Sequence, residues 1–334
     1  MANINVTKNS KLITVLAEQV KGKTQSYENE REAAEIIAEL TKEMTPENRH
    51  QIAQVMAFTV ERLQEKELDF LGQIADVKNV GYGDKVFFDV QTKGIKAYYQ
   101  ARGATTARSY IAERRFTMET QEISARPAIR LADLRQGRIN FADLLKQANH
   151  EMTMAKLTAI EAVMQDAIDD YTSPWYTAGL TKAGLDSAIA HFKRLGPVTI
   201  LGDAAAVQAI APFAGYFDAG NGITATQHYM SDSLVDEYNN TGMIGRYMGC
   251  PVLTMENGFK GDQGATILKD NWIYLIPGGA AAAQRPLKVL NEGGVNAFES
   301  QNIDDLTYEV RLDQAFGAAF VTGGFKPTIG AITV

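Results

Sequence analysis

The chain has 334 residues, of which 45% are hydrophobic and 22% charged, a composition typical of a folded protein of about two domains. Its formal net charge of -7 argues against a protein that reads nucleic-acid sequence, because such proteins usually need a basic surface to displace counterions from phosphate. A single cysteine, Cys250, excludes an intramolecular disulfide framework and is typical of a reducing compartment. We find no secretion signal and no apolar run of membrane-spanning length, so we predict no membrane association.

The first 80 residues have mainly helical periodicity. An apolar stripe runs from Ala33 to Met44 in steps of three and four residues. Thr45 followed by Pro46 is the cap and first-turn pair that begins a second helix. Two placements stay open for these helices. They could form an arm that lies on a neighbouring subunit, or a helical hairpin packed on its own domain.

The pattern changes to strand between Gly81 and Ser124. Residues 85–90 and 95–100 predict two strands joined by a turn at Lys93 and Gly94. Residues 103–123 then alternate so that neither face is apolar enough for the chain's own core nor polar enough for water. We therefore predict an extended arm whose partners lie on adjacent subunits. Its predicted inter-subunit contacts are Arg108, Tyr110, Arg114, Arg115, Phe116 and Met118.

One long helix is predicted from Asn140 to Tyr171, with Asn140 as its N-cap and Pro174 just beyond its end. At 1.5 Å per residue it would be about 48 Å long. Two adjacent apolar rows follow its axis: Phe141, Leu145, Ala148, Met152, Ala155, Ala159, Val163 and Ala167 in the first, and Leu157, Ile160, Met164 and Ile168 in the second. Lys156 is expected on the exposed side, where its replacement by Gln would be nearly neutral.

Residues 174–286 have the pattern of a mixed α/β domain. A helix is predicted from Thr181 to Leu195, and a further helix is capped by Asp203. The predicted strands are Pro197 to Leu201, Val252 to Met255 and Thr266 to Ile276. After this region, alternating apolar residues from Leu306 to Leu312 predict a half-buried strand. The long helix is the best candidate to cover its apolar side, which makes the α/β region an insertion in one domain.

We searched for catalytic and metal-binding motifs and found none that is complete. His150 and Glu151 match the first two residues of the zinc-protease helix motif, but Met154 occupies the position where that motif requires a second histidine. Gly81 and Gly83 begin a dinucleotide-type spacing, yet a strand follows where the motif requires a helix. We predict that the protein is not an enzyme and has no catalytic residue, cofactor or metal.

The order of these parts resembles the major capsid proteins of tailed phages, which have the HK97-type fold. The segment Gly249-Cys250-Pro251-Val252 resembles a turn that recurs in the family, and Glu309 to Phe320 resembles its closing strand. The resemblance implies an α+β fold of four parts. They are an N-terminal helical arm (1–80), an extended β-hairpin (81–125), a peripheral domain with a long spine helix on a β-sheet (126–172 and 286–334), and an inserted α/β axial domain (173–285).

The resemblance also implies a function. A protein of this kind self-assembles as hexamers and pentamers into an icosahedral shell that encloses viral DNA without reading its sequence. Scaffolding, portal or decoration proteins are implied as partners, the virion capsid as the location, and the host cytoplasm as the place of assembly. Two alternatives stay open: an encapsulin-like nanocompartment shell, and a soluble α/β enzyme or binding protein with an unrecognised site.

Overall fold

The protein is described from a computed structural model. The described residues are 10–22, 26–43, 45–93, 112–130, 132–133, 141–169, 176–214, 240, 243–259, 264–278, 285–302, 307–321 and 329–334. The predicted strand at 95–100, the predicted cap Asn140 and the predicted contacts Arg108 and Tyr110 lie outside these ranges.

The N-terminal helices pack on the chain's own domain, which was one of the two placements left open. They are α1 (Lys11–Val20), α2 (Tyr27–Lys42), α3 (Pro46–Glu67) and the short α4 (Leu71–Ile74). The predicted cap of α3 is confirmed, since the Thr45 hydroxyl accepts a hydrogen bond from Asn48 N at 3.3 Å. The apolar faces of α1 and α3 share one core with the long helix and with Tyr308.

The predicted long helix is confirmed as α5, the spine helix, over Phe141–Asp169. Its 29 residues span about 44 Å. In its first half the predicted row is buried, as at Leu145 and Met152. In its second half the buried row is instead the adjacent one, which includes Leu157 and Met164, and Ala155 is exposed. The face changes because the first half packs against α1 and α3, whereas the second half packs in another core with strands of two sheets.

The first sheet has the strand order β1-β11-β12-β4, with β5 also paired to β12. Its strands are β1 (Ala75–Val80), β4 (Gln121–Ala125), β5 (Ala128–Arg130), β11 (Leu287–Asn302) and β12 (Thr307–Phe320). β1 and β11 are parallel, and the other pairs are antiparallel. Tyr308, Val310 and Leu312 are buried against the helices, as the alternation predicts. Beyond Leu312 both faces of β12 are buried, because further segments cover its second face.

The second sheet has the order β6-β13-β10-β7-β9-β8 and belongs to the predicted α/β region. Its strands are β6 (Tyr176–Thr177), β7 (Val198–Asp203), β8 (Arg246–Tyr247), β9 (Cys250–Met255), β10 (Trp272–Pro277) and β13 (Gly330–Thr333). The helices α6 (Lys182–Lys193) and α7 (Ala204–Gln208) and a 3-10 turn (Ala211–Ala214) accompany it. Asp203 caps α7 as predicted, accepting from Ala205 N at 3.1 Å. Cys250 is buried.

Two assignments in this region differ from the sequence analysis. The last strand, β13, was placed in the peripheral domain, but it pairs with β10 and β6 of the second sheet. The reason is long-range pairing, which local alternation cannot reveal. β10 is also shorter than predicted, since Thr266 forms only an isolated bridge with Phe259 and the regular strand begins at Trp272.

Polar contacts join the spine helix to this second sheet. The Glu161 carboxylate accepts hydrogen bonds from Lys269 N at 3.1 Å and from the Tyr274 hydroxyl at 3.0 Å. Gln165 bonds to the same hydroxyl and accepts from Lys269 Nζ at 2.7 Å. Burial raises the pKa of Glu161, and the hydrogen bonds that its carboxylate accepts oppose this increase. The junction is therefore a satisfied polar cluster that fixes one domain against the other.

Candidate assembly surface

A two-stranded ribbon stands apart from both sheets. It consists of β2 (Phe88–Lys93) and β3 (Ala112–Phe116), paired antiparallel. Lys93 is still in the ladder, opposite Ala112. The described partner of β2 is thus β3, and Lys93 lies in a strand rather than in the predicted turn, whereas Gly94 and the predicted strand at 95–100 lie outside the described residues.

The base of the ribbon has a small core of its own, which corrects the expectation of a strand pair without one. Phe88 is fully buried and stacks on Phe116, with ring centroids 5.7 Å apart. The ammonium groups of Lys78 and Lys288 lie 4.7 Å and 5.9 Å from the centroid of the Phe88 ring. Lys288 in turn forms a buried ion pair with Asp76 at 3.0 Å. Phe116, a predicted inter-subunit contact, therefore packs against its own chain.

Met118 also has a partner within the chain, at Gly317 of β12. A Cβ atom placed on Gly317 would lie 3.2 Å from Met118 Cγ and 3.0 Å from the Glu119 carbonyl oxygen. Glycine is required here because the ribbon's continuation approaches the sheet backbone so closely. The base of the ribbon thus covers the face of the first sheet that carries Lys288 and Gly317.

Glu292 of β11 holds both ends of the ribbon. Its carboxylate accepts a hydrogen bond from Gly83 N, before β2, and another from the Thr120 hydroxyl, after β3, each at 2.7 Å. These two bonds lower the pKa of Glu292, since they favour the charged carboxylate. Gly83 has a φ of 85°, a conformation that suits glycine and turns its N–H toward the carboxylate. One side chain therefore fixes where the ribbon leaves the sheet.

An exposed ion pair joins the two strands of the ribbon. Arg115 Nε donates to Asp89 Oδ1 at 2.7 Å, directly across the ladder, and the Arg115 side chain is 70% exposed. Arg114 lies opposite Val90 in the ladder. An exposed pair of this kind contributes about 0 to 1 kcal/mol to subunit stability. The ribbon is thus anchored by aromatic and buried ionic contacts, and the exposed Arg115–Asp89 pair contributes little to the fold.

Glu292 gives a testable prediction about this anchor. Glu292→Ala is expected to make the Gly83 amide exchange with deuterium several-fold faster, because the ribbon loses both hydrogen bonds at its ends. Glu292→Gln, which keeps an acceptor oxygen, should have a smaller effect. In the unmodified protein the protection should persist as the pH falls through the ordinary glutamate range, and disappear only at the lowered pKa. Equal exchange in all three proteins would contradict the anchoring role.

The described part of the chain contains no group of three or more His, Cys, Asp or Glu residues that could hold a metal ion. His150 lies 4.0 Å from Glu256, and no third ligand joins them there. Within the same described ranges, no helix has both the length and the apolar character needed to span a membrane.

Comparison with solved structures shows which fold this is. The fold resembles the capsid of an empty GTA particle with a TM-score of 0.50 at 14% identity, over 79% of this chain and 88% of that one. A structure from Mycobacterium phage Adephagia gives a TM-score of 0.48 at 13% identity, over 77% of this chain and 88% of that one. A virus-like particle from Pyrococcus furiosus gives 0.45 at 9%, over 83% and 97%. No curated protein matches in sequence. The fold is the HK97-type capsid fold, as the sequence analysis expected.

The sequence itself matches one protein family over residues 1–333, described as "SPbeta prophage-derived putative capsid protein YonB". The chain belongs to this capsid protein family. Its function is accordingly to form a capsid shell, which confirms the main functional prediction. Such a family implies a structural role rather than a catalytic one.

Proposed function

We propose that the chain assembles as hexamers and pentamers into a closed icosahedral shell, in the host cytoplasm, and that the shell encloses viral DNA. The observation that carries the proposal is the ribbon, whose base is anchored by Phe88 and Glu292 while Arg115 remains exposed. Scaffolding, portal and decoration proteins are proposed as further partners. The net charge of -7 suits a container that DNA must enter and leave without adhering to its inner wall.

We also propose the four-part division of the chain, with three changes. The arm (1–80), hairpin (81–125), peripheral domain and axial domain (173–285) keep their proposed limits, except that β1 and β4 belong to the first sheet, with the peripheral domain, and the last strand joins the axial sheet. The helices of the arm share a core with the spine helix. This packing supports the peripheral domain as the scaffold to which the hairpin is anchored.

The purified full-length chain is expected to form closed particles of megadalton mass without added metal, cofactor or nucleic acid. Light scattering after size exclusion and negative-stain microscopy measure this. A monodisperse monomer or dimer over a range of protein and salt concentrations would contradict the proposal. Particles purified from an infected or induced host should contain DNA, whereas a nanocompartment shell would contain protein cargo instead.

The arginines of β3 are expected to affect assembly but not folding. Changing Arg114 and Arg115 together to Glu should preserve the circular dichroism spectrum and abolish or misdirect particle formation. A shell repeats each contact in every subunit, so small losses add up. Raised salt should weaken assembly of the unmodified protein in the same direction, because screening acts on exposed charges.

The ion pair with Asp89 supplies a matched control. Asp89→Arg combined with Arg115→Asp keeps an opposite-charge pair across the ladder but moves the positive charge to the other strand. If this exchange assembles like the unmodified protein, Arg115 serves only the pair within the chain. If it fails to assemble while remaining folded, Arg115 contacts a neighbour. Unfolding of the double Glu variant would instead show that the ribbon needs these arginines in order to fold.

A further inference from the structure

A cleft lies where the spine helix and α3 meet the second sheet, and we call it the junction cleft. Its inner chamber, of about 320 Å³, lies between the end of α3, the spine helix and the carboxyl ends of β7 and β9. An outer chamber of about 480 Å³ adjoins it, at the end of α1 and the start of the spine helix. The two chambers share Glu67, the last residue of α3, and Glu256, which follows β9.

The inner chamber is acidic. Glu67, Asp203 and Glu256 line it, and none of the described residues that line it is Lys, Arg or His. Asp203 is only 9% exposed. Burial raises the pKa of the nearby Glu161, and the negative charge of Asp203 adds to this increase. Three carboxylates thus line one chamber without a cation among its described lining residues, which favours a positively charged ligand.

A buried acceptor beside Glu67 indicates a ligand that donates hydrogen bonds. Asn149 is 4% exposed and lines the outer chamber. Its Nδ2 donates to Glu67 Oε2 at 2.7 Å, whereas its Oδ1 is buried without a hydrogen-bond partner among the described residues. A buried acceptor without a donor is costly, and an N–H group of a ligand would remove that cost. The Asn149 oxygen and the Glu67 carboxylate together suit an ammonium group, which has three N–H bonds.

The shape of the inner chamber selects among cations. Its remaining wall is largely apolar and includes Phe70, Leu157, Met243 and Met255. Within the described ranges, no three His, Cys, Asp or Glu residues are grouped closely enough to hold a metal ion. A compact divalent cation would therefore have too few ligands here. A cation whose charges are separated by methylene groups would match both the separate carboxylates and the apolar wall.

We propose that the junction cleft binds a linear aliphatic polyamine, one molecule per subunit. One ammonium group lies at Glu67 and Asn149, where the two chambers meet. The methylene chain follows the apolar wall of the inner chamber, and a second ammonium group lies at Asp203. Lys21 and Lys146 line the outer chamber and make it less suitable for a cation. The ligand would join α3 and the spine helix to the second sheet. The site lies within one subunit, so the proposal does not depend on the shell function.

Isothermal titration calorimetry of the full-length protein with spermidine tests the site. We expect saturable binding at one site per subunit, and the midpoint of thermal unfolding should rise as spermidine is added. Glu67→Gln combined with Glu256→Gln should weaken binding roughly tenfold, because both hydrogen-bond acceptors lose their charge. The matched control, Glu28→Gln with Glu39→Gln, removes the same charge from the exposed side of α2 and should bind spermidine as the unmodified protein does.

Three results would overturn the proposal: no saturable binding, equal affinity in the two double variants, or displacement of spermidine by Mg²⁺ at matched ionic strength. The last two would show that spermidine is only a counterion of an acidic surface. If the Glu67 variant does not fold, Thr254→Lys decides, since it places an ammonium group at the wall of the inner chamber. The folded Thr254→Lys protein should also bind spermidine roughly tenfold more weakly. Unchanged binding by that protein would contradict the site.

Discussion

Replacing Met152 or Leu157 of the spine helix by aspartate is expected to leave the subunit unfolded or insoluble. Both side chains are 1% exposed, Met152 in the core shared with α1 and α3, and Leu157 in the core shared with the two sheets. An aspartate at either position would bury an unpaired charge, which costs several kcal/mol, roughly 4 or more. The free energy of unfolding in denaturant, or the soluble fraction on expression, measures the loss.

Ala155 provides the matched control for this experiment. It lies between the two positions on the same helix, yet it is exposed. Ala155→Asp has the same helix propensity cost, about 0.5 to 0.7 kcal/mol, and no buried charge. The subunit should therefore stay folded. If Ala155→Asp were as damaging as Met152→Asp, Ala155 would not lie on the exposed face of the helix.

Removing the buried ammonium group of Lys156 is the second change expected to have a large effect. Lys156→Met keeps the length of the side chain but leaves the carbonyl oxygens of Gln64 and Gln314 without their donor. Each buried acceptor without a partner costs about 1 to 3 kcal/mol, so the unfolding free energy at pH 7 should fall. Adding Gln64→Leu and Gln314→Leu should recover much of the loss, because a fully apolar cluster has no unmet acceptor. No loss in the single variant would contradict the network.

The pH dependence gives an independent measurement of the same group. Burial lowers the pKa of Lys156 from 10.5 to about 8, and the nearby Glu61 carboxylate opposes this change. Between these two values the unfolded chain holds a proton that the folded chain has released. Stability should therefore rise with pH, by about 2 kcal/mol between about pH 7.5 and 9.5. Above that range the raised pKa of buried tyrosines such as Tyr274 acts in the opposite direction.

To isolate the effect of Lys156, the unfolding free energy of the unmodified protein and of Lys156→Met is measured between about pH 7.5 and 9.5. Stability should rise with pH in the unmodified protein but not in Lys156→Met, since the two proteins share all other titrating groups. Parallel stability curves would show that Lys156 keeps its ordinary pKa. The sequence analysis placed Lys156 on the exposed side of the helix and expected Lys156→Gln to be nearly neutral. Because Lys156 is buried, we instead expect loss of its ammonium group to lower stability.

Several secondary-structure elements of this protein could be predicted from the sequence, because they depend on residues that are close together along the chain. The apolar periodicity located the spine helix to within two residues at each end of Phe141–Asp169. Thr45 and Asp203 were recognisable as caps because a cap acts on amides two or three residues away. The alternation from Tyr308 to Leu312 gave the buried face of a strand. The order of these elements was enough to indicate the HK97-type capsid fold, which the family match supports.

Only the tertiary structure decided what covers these elements. Lys156 is buried because Gln64 and Gln314 lie across from it, 92 and 158 residues away along the chain. Glu292 fixes the ribbon through Gly83 and Thr120, 209 and 172 residues away. Periodicity reports which residues share a face, but it does not report which segment packs there. For this reason the sequence predicted an arm whose partners lie on adjacent subunits, whereas the structure shows the base of that arm packed on the first sheet of its own chain.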